Sequence, residues 1–384
     1  MAKVLHVMMK LPDKVGSDFQ AFAHQSLNQH EHSFVAFRTG KDAATHPSAH
    51  PYELLPRGAL RKFLAFRRCI AAFRPDVVVF HGMNYGLRET LALLALFATS
   101  DIQFRAVWFI WGADVYRFQN RRSGFLPAVS EVFRRRLLRR ILFVATLVPG
   151  DAKLARQRYA PAAELFEAFY PVPSVLDRPV VDRSRSAGAT FLVQVGNSAS
   201  PNNEHDVVFE HLSSTVGQFR VLCPLAYGSR INAARVAALG GRLLGDRFVA
   251  LDRMLAPDEY AKLQADVLVA IFNHNRQQGL ANILGLLFSG AKVYLRANTT
   301  TFYFLQKLGL PVFDSLRLDG TQLLDELIEY RPELPRIQQI ITERFSTQAA
   351  ATLWYDLIAS VASRAPKPHP AHGLSSDDGM VDTE

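Results

Sequence analysis

The sequence predicts an α/β fold in which two doubly wound domains face each other across a cleft. Apolar runs of strand length alternate with helical patterns through most of the chain, an order that is typical of βα units. Several runs are unbroken Val, Ile, Leu and Phe, as in a parallel sheet that is covered on both faces. The pattern restarts near residue 190, which indicates a second sheet. At 384 residues the chain is long enough for two domains of ordinary size.

The apolar runs predict the positions of the strands. In the first half they are 4–8, 33–37, 76–81, 104–111 and 141–146. In the second half they are 190–196, 219–223, 247–251, 267–272 and 291–295. Helical patterns between them include 19–30, 60–73 and 257–266. Because ligands bind outside the carboxyl ends of parallel strands, we expect a site in the loops that follow these strands.

Breaks in the pattern predict the domain organisation. Tyr170-Pro171-Val172-Pro173 and the polar stretch 182–188 indicate an interdomain linker. We therefore expect an N-terminal domain over residues 1–172 and a C-terminal domain over 173–336. A helical region follows at 337–365, with the first domain as the candidate for its packing partner. The tail 366–384 is rich in Pro, Ser and Asp, and we expect it to be disordered.

Composition limits the possible classes of protein. With 49% hydrophobic and 21% charged residues, the chain can bury a sizeable core, which excludes an intrinsically disordered protein. Cys69 and Cys223 are far apart in apolar surroundings, so a reducing compartment is favoured over a disulfide framework. Residues 1–9 are typical of a short strand and not of a secretory signal. No stretch of about 18 residues is free of charge, so we expect a soluble or peripheral protein.

The formal net charge of +9 suggests an anionic partner. Basic residues cluster on two predicted helices that also carry apolar stripes at helical spacing. These residues are Arg61, Lys62, Arg67, Arg68 and Arg74 on one helix, and Arg134, Arg135, Arg136, Arg139 and Arg140 on the other. Such helices suit an anionic membrane surface, and core-facing helices with solvated Arg faces are the alternative. We do not expect nucleic acid as a partner, because no helix-turn-helix, RNA-recognition or zinc signature is present.

The first polar loop at a strand end follows the predicted strand 190–196 and precedes a helix. Its candidate residues are Gly196, Asn197, Ser198, Asn203, Glu204 and His205. Gly196 permits a close approach of the backbone, and the small polar residues after it can surround an anion. A helix N-terminus, with its free backbone N–H groups, favours phosphate at such a place. An ordinary turn with a helix cap is the alternative.

The second polar loop follows the predicted strand 267–272. Its candidate residues are Asn273, Arg276, Gln277, Gln278 and Gly279. Arg276 offers a charged fork for a diphosphate or a carboxylate, and the two glutamines can reach sugar hydroxyls. Because an apolar strand precedes this loop and an apolar helix follows it, the pattern favours a binding role over an ordinary solvated loop.

The third polar loop follows the most apolar run of the first half and contains Trp111, Gly112, Asp114 and Tyr116. Asp114 is a candidate general base towards an acceptor hydroxyl, and a helix cap is the alternative role. His81, at the end of strand 76–81, points to the same edge and is the second candidate base, with a structural role as its alternative. No metal-ligand spacing and no DxD carboxylate pair is present, so neither a metal nor another cofactor is expected.

Together these loops resemble the motifs of glycosyltransferase family 56. The resemblance rests on Trp111-Gly112-Ala113-Asp114, on Gly196-Asn197-Ser198 with Asn203-Glu204-His205, and on Arg276-Gln277-Gln278-Gly279, with His81-Gly82 in addition. It implies a GT-B fold, no essential metal and a dTDP-linked deoxyamino sugar, similar to N-acetylfucosamine, as the donor. It also implies a polyprenyl-diphosphate-linked saccharide as the acceptor, in envelope polysaccharide synthesis of the enterobacterial common antigen type.

The resemblance further implies which residues face each substrate. The candidates of the first two loops would hold the nucleotide sugar. Asp114 and His81 would face the acceptor, together with Trp111, Gly112 and Tyr116. The protein would then act as a peripheral protein at the cytoplasmic face of the bacterial inner membrane. A non-catalytic subunit that binds a nucleotide sugar or a lipid head group is the alternative function, since such a subunit needs no acceptor base.

Overall fold

The computed structural model describes residues 1–9, 14–37, 53–118, 125–172, 175–176, 190–318 and 330–364. In these ranges it contains a seven-stranded and a six-stranded sheet. The predictions for 182–188 and 366–384 lie outside the described residues. The domain boundaries at 172 and 336 stay a prediction.

The first sheet is parallel and has the strand order β3-β2-β1-β4-β5-β6-β7. Its strands are β1 Lys3–Met8, β2 Glu31–Phe37, β3 Glu53–Leu55, β4 Val77–His81, β5 Ala106–Phe109, β6 Phe143–Ala145 and β7 Glu164–Phe166. The helices of this half are α1 Lys14–Ser26, α2 Ala59–Phe73, α3 Leu87–Thr99, α4 Gly112–Val115, α5 Phe125–Leu138 and α6 Pro149–Arg158.

The second sheet is also parallel, in the order β10-β9-β8-β11-β12-β13. Its strands are β8 Phe191–Val195, β9 Phe219–Pro224, β10 Phe248–Leu251, β11 Val267–Phe272, β12 Lys292–Leu295 and β13 Val312–Asp314. The helices are α7 His205–Ser213, α8 Arg230–Leu244, α9 Pro257–Gln264, α10 Leu280–Phe288 and α11 Thr300–Lys307, followed by α12 Leu334–Phe345 and α13 Thr347–Ala362. In each sheet the strand order reverses at one point, between β1 and β4 and between β8 and β11, and ligands bind at such points.

The α/β class predicted from the sequence is confirmed, and every predicted strand is present close to its predicted bounds. The sequence did not predict β3, β7 and β13, which have three residues each and lie at sheet edges. The helix predicted over 19–30 is displaced: α1 ends at Ser26, and the buried Leu27 begins the turn into β2. The region 337–365 contains two helices, because the Ser346 hydroxyl caps α13 by accepting from the Ala349 N–H at 3.2 Å.

The last two helices connect the two halves. Helix α12 packs on α10, whereas α13 packs on the first sheet and on α1. Trp354 of α13 is fully buried, and its indole N–H donates to the Phe169 carbonyl oxygen at 2.9 Å. Its ring is stacked with that of Phe109, with centroids 5.4 Å apart. One apolar cluster therefore runs without a break from β4 and β5 through α13 to β11 and α10.

Two of the basic residues assigned to a membrane-facing surface are buried instead. Arg134 donates to the carbonyl oxygens of Met83 at 3.1 Å and Asp114 at 2.7 Å, and its guanidinium lies over the Tyr159 ring. Lys62 is buried and paired with Glu89. Both side chains hold elements together, so the expectation that they meet a membrane was wrong. Within the described ranges, no helix combines the length and the hydropathy needed to cross a bilayer.

Candidate active site between the two sheets

Loops from the carboxyl ends of β5, β8, β9 and β11 enclose a cavity of about 670 Å³ between the two halves. The first half contributes Trp111, Gly112 and Ala113. The second half contributes Asn197, Ser198, Ser200, Pro201, Ala226, Tyr227, Gly228, Ser229, Arg276, Gln277, Gln278 and Gly279. The structure thus brings the three polar loops together. The loop after β9 was missed, although its small polar residues at a strand end are the same signal.

The first loop owes its shape to side chains behind the cavity. Gly196 has a φ of 68°, and a Cβ there would lie 2.8 Å from His205 Nε2 and 3.0 Å from Asn203 Oδ1. Asn203 is buried, and its amide donates to the carbonyl oxygens of Ser198 at 2.9 Å and Ser200 at 3.2 Å. Burial lowers the pKa of His205 to about 4, so the ring is neutral at pH 7. Asn203 therefore supports the loop through hydrogen bonds, and neither Asn203 nor His205 lines the cavity.

Two more of the residues that were predicted to hold the nucleotide sugar also lie behind the cavity wall. The Glu204 carboxylate accepts from Asn275 Nδ2 at 2.8 Å and is paired with Arg296. Asn273 is buried, and its Oδ1 accepts from the Ser315 hydroxyl at 2.9 Å. These contacts join the loop after β8 to the loops after β11, β12 and β13. Glu204 and Asn273 thus hold the donor side of the cavity in place without facing it.

Arg276 lines the cavity on the side of the second half. Among the residues that the structure describes, none forms an ion pair or a hydrogen bond with its guanidinium. The pKa of the Arg276 guanidinium lies below its usual value, because the lowering by burial outweighs the raising by Tyr116 and Asp114 nearby. Since a half-buried charge without a partner is unfavourable, the geometry provides a place for an anionic ligand.

The N-termini of two helices add partial positive charge to the cavity wall that contains Arg276. Helix α10 begins directly after Gly279, which lines the cavity, and α8 begins after Ser229, whose hydroxyl accepts from the Asn232 N–H at 3.2 Å. Gln278 Nε2 donates to Asn197 Oδ1 at 3.0 Å, and this hydrogen bond connects the loop after β11 with the loop after β8. The free N–H groups at both helix starts favour a phosphate in the space beside Arg276.

The two halves touch closely at the edges of the cavity. A Cβ at Gly112 would lie 2.3 Å from the Gln277 carbonyl oxygen and 2.3 Å from its Oε1. A Cβ at Gly150 would lie 2.7 Å from Thr300 Cγ2. Side chains are therefore excluded at both positions in this closed arrangement.

Asp151 forms a polar contact between the halves that sequence reasoning missed. Its Oδ1 accepts from the Tyr116 hydroxyl at 2.7 Å and from the Thr300 hydroxyl at 2.6 Å. Burial raises the pKa of the Asp151 carboxyl to about 6. Like Asp114, Asp151 lies in the first helical turn after a strand, so the same pattern could have found it. Tyr116, predicted on the acceptor side, belongs to this contact.

Asp114 and His81, the two candidate bases, are both fully buried and do not line the cavity. Asp114 Oδ2 accepts from the backbone N–H groups of Met83 at 3.0 Å and Trp111 at 3.1 Å. Burial raises the pKa of Asp114. Asp114 is the third residue of α4, and its carboxylate reaches back to the N–H of Trp111, the residue before the helix. It therefore closes the first turn but is not itself the N-cap. His81 lies against His6 and is hydrogen-bonded to the Tyr170 hydroxyl. Direct proton removal by either side chain is therefore not what this geometry provides.

A second, apolar cavity of about 410 Å³ adjoins the first on the side of the first sheet. The two cavities share Trp111, Gly112, Tyr227, Gln277 and Gly279. The rest of its wall is largely aromatic and aliphatic and includes Phe109, Ile110, Leu147, Phe169, Tyr170, Leu280 and Leu284. A ligand in the polar cavity would thus have apolar space next to it.

Comparison with known sequences identifies the family. Residues 2–329 match the family described as 4-alpha-L-fucosyltransferase, glycosyl transferase group 56. The chain belongs to this family. The resemblance found in the three loops is therefore confirmed, and the protein is a glycosyltransferase of the fucosyltransferase type. Membership in a family of transferases argues against the alternative of a non-catalytic binding subunit.

Solved structures with this architecture are similar over nearly the whole chain. Sucrose-phosphate synthase from Thermosynechococcus elongatus has a TM-score of 0.69 at 14% identity, covering 94% of this chain and 100% of that one. Anabaena HepE in complex with UDP and glucose has a TM-score of 0.66 at 14% identity, with the same coverages of 94% and 100%. WaaG, a glycosyltransferase involved in lipopolysaccharide biosynthesis, has a TM-score of 0.60 at 12% identity, again with 94% and 100%. The fold of this glycosyltransferase is therefore GT-B.

Metal-ligating side chains are not clustered in the described parts of this glycosyltransferase. No group of three or more His, Cys, Asp or Glu residues there is arranged to hold a metal ion. The positive groups that the chain itself provides in the cavity are Arg276 and the helix starts.

Replacing Gly112 with alanine should open the cleft while both halves stay folded. The new Cβ would overlap Gln277, so the halves must move apart. We expect a larger radius of gyration by small-angle X-ray scattering and a loss of transferase activity of about 100-fold, as for a misplaced site. Gly241→Ala is the control, because a Cβ there meets nothing within 4 Å. Wild-type scattering and activity for Gly112→Ala would contradict this contact.

Replacing Asp151 with asparagine should change how stability depends on pH. The folded-state pKa of about 6 lies above the unfolded value of about 3.9. The contribution of this carboxyl is therefore complete below pH 4 and is lost as the pH rises through 6. Relative to wild type, the unfolding free energy of Asp151→Asn should rise by about 2 kcal/mol between pH 4 and 7, measured by urea denaturation. Asp356→Asn, at an exposed position on α13, should show no such rise, and a flat difference for Asp151→Asn would refute the assignment.

Proposed function

We propose that this glycosyltransferase moves a deoxyamino sugar, similar to N-acetylfucosamine, from a dTDP-sugar to a polyprenyl-diphosphate-linked saccharide. The observation that carries the donor site is Arg276 on the cavity wall, beside the start of α10, where its guanidinium has no partner among the described residues. A nucleoside diphosphate supplies the negative charge that this wall lacks. The family description and the HepE structure with UDP and glucose support a nucleotide-sugar donor.

The positive wall would act mainly as the sugar leaves. When the bond from the anomeric carbon to the diphosphate breaks, its electron pair stays on the diphosphate oxygen. Arg276 and the N–H groups at the helix start meet that developing charge and are already in place before the reaction. Asn197, Gln277 and Gln278 line the same cavity and are placed to bind the sugar hydroxyls. The apolar cavity on the side of the first sheet would receive the acceptor.

An exposed face of the first half supports the proposed membrane association. Helices α2, α3 and α5 lie side by side and expose large apolar side chains. Phe125 is 81%, Leu126 69% and Leu60 68% exposed. Leu64, Leu91 and Val132 are also exposed on these helices. The same helices expose Arg61, Arg67, Arg68, Arg88 and Arg136, and Arg139 is exposed directly after α5. Apolar side chains with surrounding positive charge fit an anionic lipid surface, and the cytoplasmic face of the bacterial inner membrane is the proposed location.

Replacing Arg276 with alanine should weaken nucleotide binding and catalysis. The lost charged hydrogen bonds predict an affinity for dTDP that is about 10- to 100-fold lower by isothermal titration calorimetry. We expect kcat/KM to fall by about 100-fold. Arg242→Ala, at an exposed position on the last turn of α8, removes the same charge far from the cavity and should change neither value. Wild-type dTDP affinity in Arg276→Ala would remove this residue from the donor site. Tighter binding of UDP or GDP than of dTDP would overturn the proposed nucleotide.

Replacing Phe125 and Leu126 together with serine should release the protein from anionic vesicles. Two exposed apolar side chains are lost, which predicts at least about a tenfold drop in binding to vesicles of phosphatidylglycerol and phosphatidylethanolamine. Vesicle co-sedimentation measures this drop, and the melting temperature should stay unchanged because both side chains are exposed. Val216→Ser, at an equally exposed position in the second half, is the control. Equal vesicle binding by all three proteins would exclude this face as the membrane contact.

A further inference from the structure

Three histidines form a continuous hydrogen-bonded row through the first sheet. His81, His6 and His32 lie on the neighbouring strands β4, β1 and β2. His6 Nδ1 is 2.9 Å from His81 Nε2, and His6 Nε2 is 3.0 Å from His32 Nδ1. At the inner end, His81 Nδ1 is hydrogen-bonded to the Tyr170 hydroxyl. At the outer end, His32 Nε2 is 3.0 Å from the Leu27 carbonyl oxygen. We call these three residues the histidine row.

The outer end determines where each ring carries its proton. A carbonyl oxygen only accepts, so His32 Nε2 donates to Leu27. A neutral imidazole has one donor and one acceptor nitrogen, so His32 Nδ1 accepts from His6 Nε2. By the same rule, His6 Nδ1 accepts from His81 Nε2, and His81 Nδ1 accepts from the Tyr170 hydroxyl. All the hydrogen bonds of the row therefore point in one direction, from Tyr170 to Leu27.

The surroundings of the row keep its rings neutral. Burial lowers the pKa of His81 to about 3 and, despite the bond to Leu27, that of His32 to about 4. Burial, followed by the neighbouring imidazoles, lowers the pKa of His6 well below its usual range. Phe19 and Trp354 pack against these rings. Aliphatic side chains would fill such a core without burying polar atoms, so packing alone gives no reason for imidazoles in a row.

The two ends of the row lie in different places. Tyr170 lines the apolar cavity beside the donor site, where its ring is stacked on Phe109 and meets Trp111 edge-on. His32 is only half-buried and lies at the beginning of β2, beside His24. The row thus connects the cleft with the outer side of the first sheet.

We propose that the histidine row carries away the proton of the acceptor hydroxyl, which Tyr170 receives first. The acceptor oxygen bonds to the anomeric carbon, and the bond from that carbon to the diphosphate breaks with its electron pair on the departing nucleotide. The acceptor proton passes to the Tyr170 oxygen, while the Tyr170 hydrogen moves to His81 Nδ1. Each ring then gives its Nε2 hydrogen to Nδ1 of the next. His32 becomes an imidazolium and loses its Nε2 hydrogen to water. Every ring then carries its hydrogen on Nδ1, and the protons must return to Nε2 before the next turnover.

Weakly basic rings are sufficient for this step. As the acceptor oxygen donates its electron pair to the sugar, its proton becomes strongly acidic, and a neutral imidazole then accepts the charge readily. The charge ends on His32, the ring of the row nearest to solvent. His81 in this arrangement works through Tyr170 and is a positioning and relay residue, which accounts for its complete burial. This inference rests on the proposed glycosyl transfer.

The direction of the hydrogen bonds in the histidine row can be tested without substrate. Long-range ¹H–¹⁵N spectra of the ¹⁵N-histidine-labelled protein report which ring nitrogen carries the proton, and single His→Gln variants assign the signals. We expect His6, His32 and His81 all to carry the proton on Nε2. A proton on Nδ1 of any of the three neutral rings would break the row and overturn the proposal.

The relay itself is tested at the outer end with His32→Gln. The glutamine amide keeps a donor and an acceptor but cannot pass a proton on. Turnover of a dTDP-linked N-acetylfucosamine donor with a polyprenyl-diphosphate-linked acceptor should fall about 100-fold, with unchanged affinity for dTDP. His24→Gln, beside the row but outside it, should keep full turnover.

Two further readouts separate a relay from structural support. The dependence of wild-type turnover on the D₂O fraction should be curved, because several protons move together, and it should become linear in His32→Gln. Millimolar imidazole should restore turnover to His32→Ala, because the half-buried site admits it. Full turnover in His32→Gln with normal dTDP binding would refute the relay. Absence of dTDP binding in the wild type would refute the proposed function instead, and the spectra would still report on the row.

Discussion

Backbone from opposite halves of the molecule touches where the cleft narrows, at Gly112 of the first half and Gln277 of the second. This contact requires a residue without a side chain, and the position of the neighbouring Arg276 depends on it. At a second contact between the halves, Gly150 meets the side chain of Thr300. Loops from both sheets share one cavity beside Gly112. The candidate active site therefore exists only while the two halves are closed on each other.

Behind the cavity wall, buried polar side chains do most of the positioning. Asn203 shapes the loop after β8 from within, and Glu204 links that loop to Asn275 and Arg296. In the first half, the Asp114 carboxylate accepts from the Met83 N–H in the loop after β4, and Arg134 donates to the Asp114 carbonyl oxygen in the loop after β5. These bonds are buried, so the loss of one partner would leave a polar group unsatisfied. The groups that face the cavity can therefore stay few, and Arg276 can remain without a partner among the described residues until a ligand binds.

Local patterns were sufficient for the fold and for much of the cavity wall. Unbroken apolar runs marked the long strands, and the rule for strand ends led to Asn197, Ser198 and the loop of Arg276. Local patterns could not separate a cap from a catalytic carboxylate at Asp114, because both roles favour the same residue at the same place. The contact of Asp151 with Thr300 joins residues 149 positions apart, and its partners become known only when the halves meet. The histidine row depends on the strand order β4-β1-β2, which no single segment encodes.

The return of α13 to the first sheet also determines how the molecule can move. The chain passes from one half to the other between β7 and β8 and again at Ser346, between α12 and α13. Ser346 therefore lies where the two halves would turn against each other as the cleft opens. Gly112 and Asp151 both belong to the first half and both contact the second, so their contacts should part in one motion. The molecule would then exchange donor and product by this motion, and the apolar cluster around Trp354, which contains residues of both halves, would limit its extent.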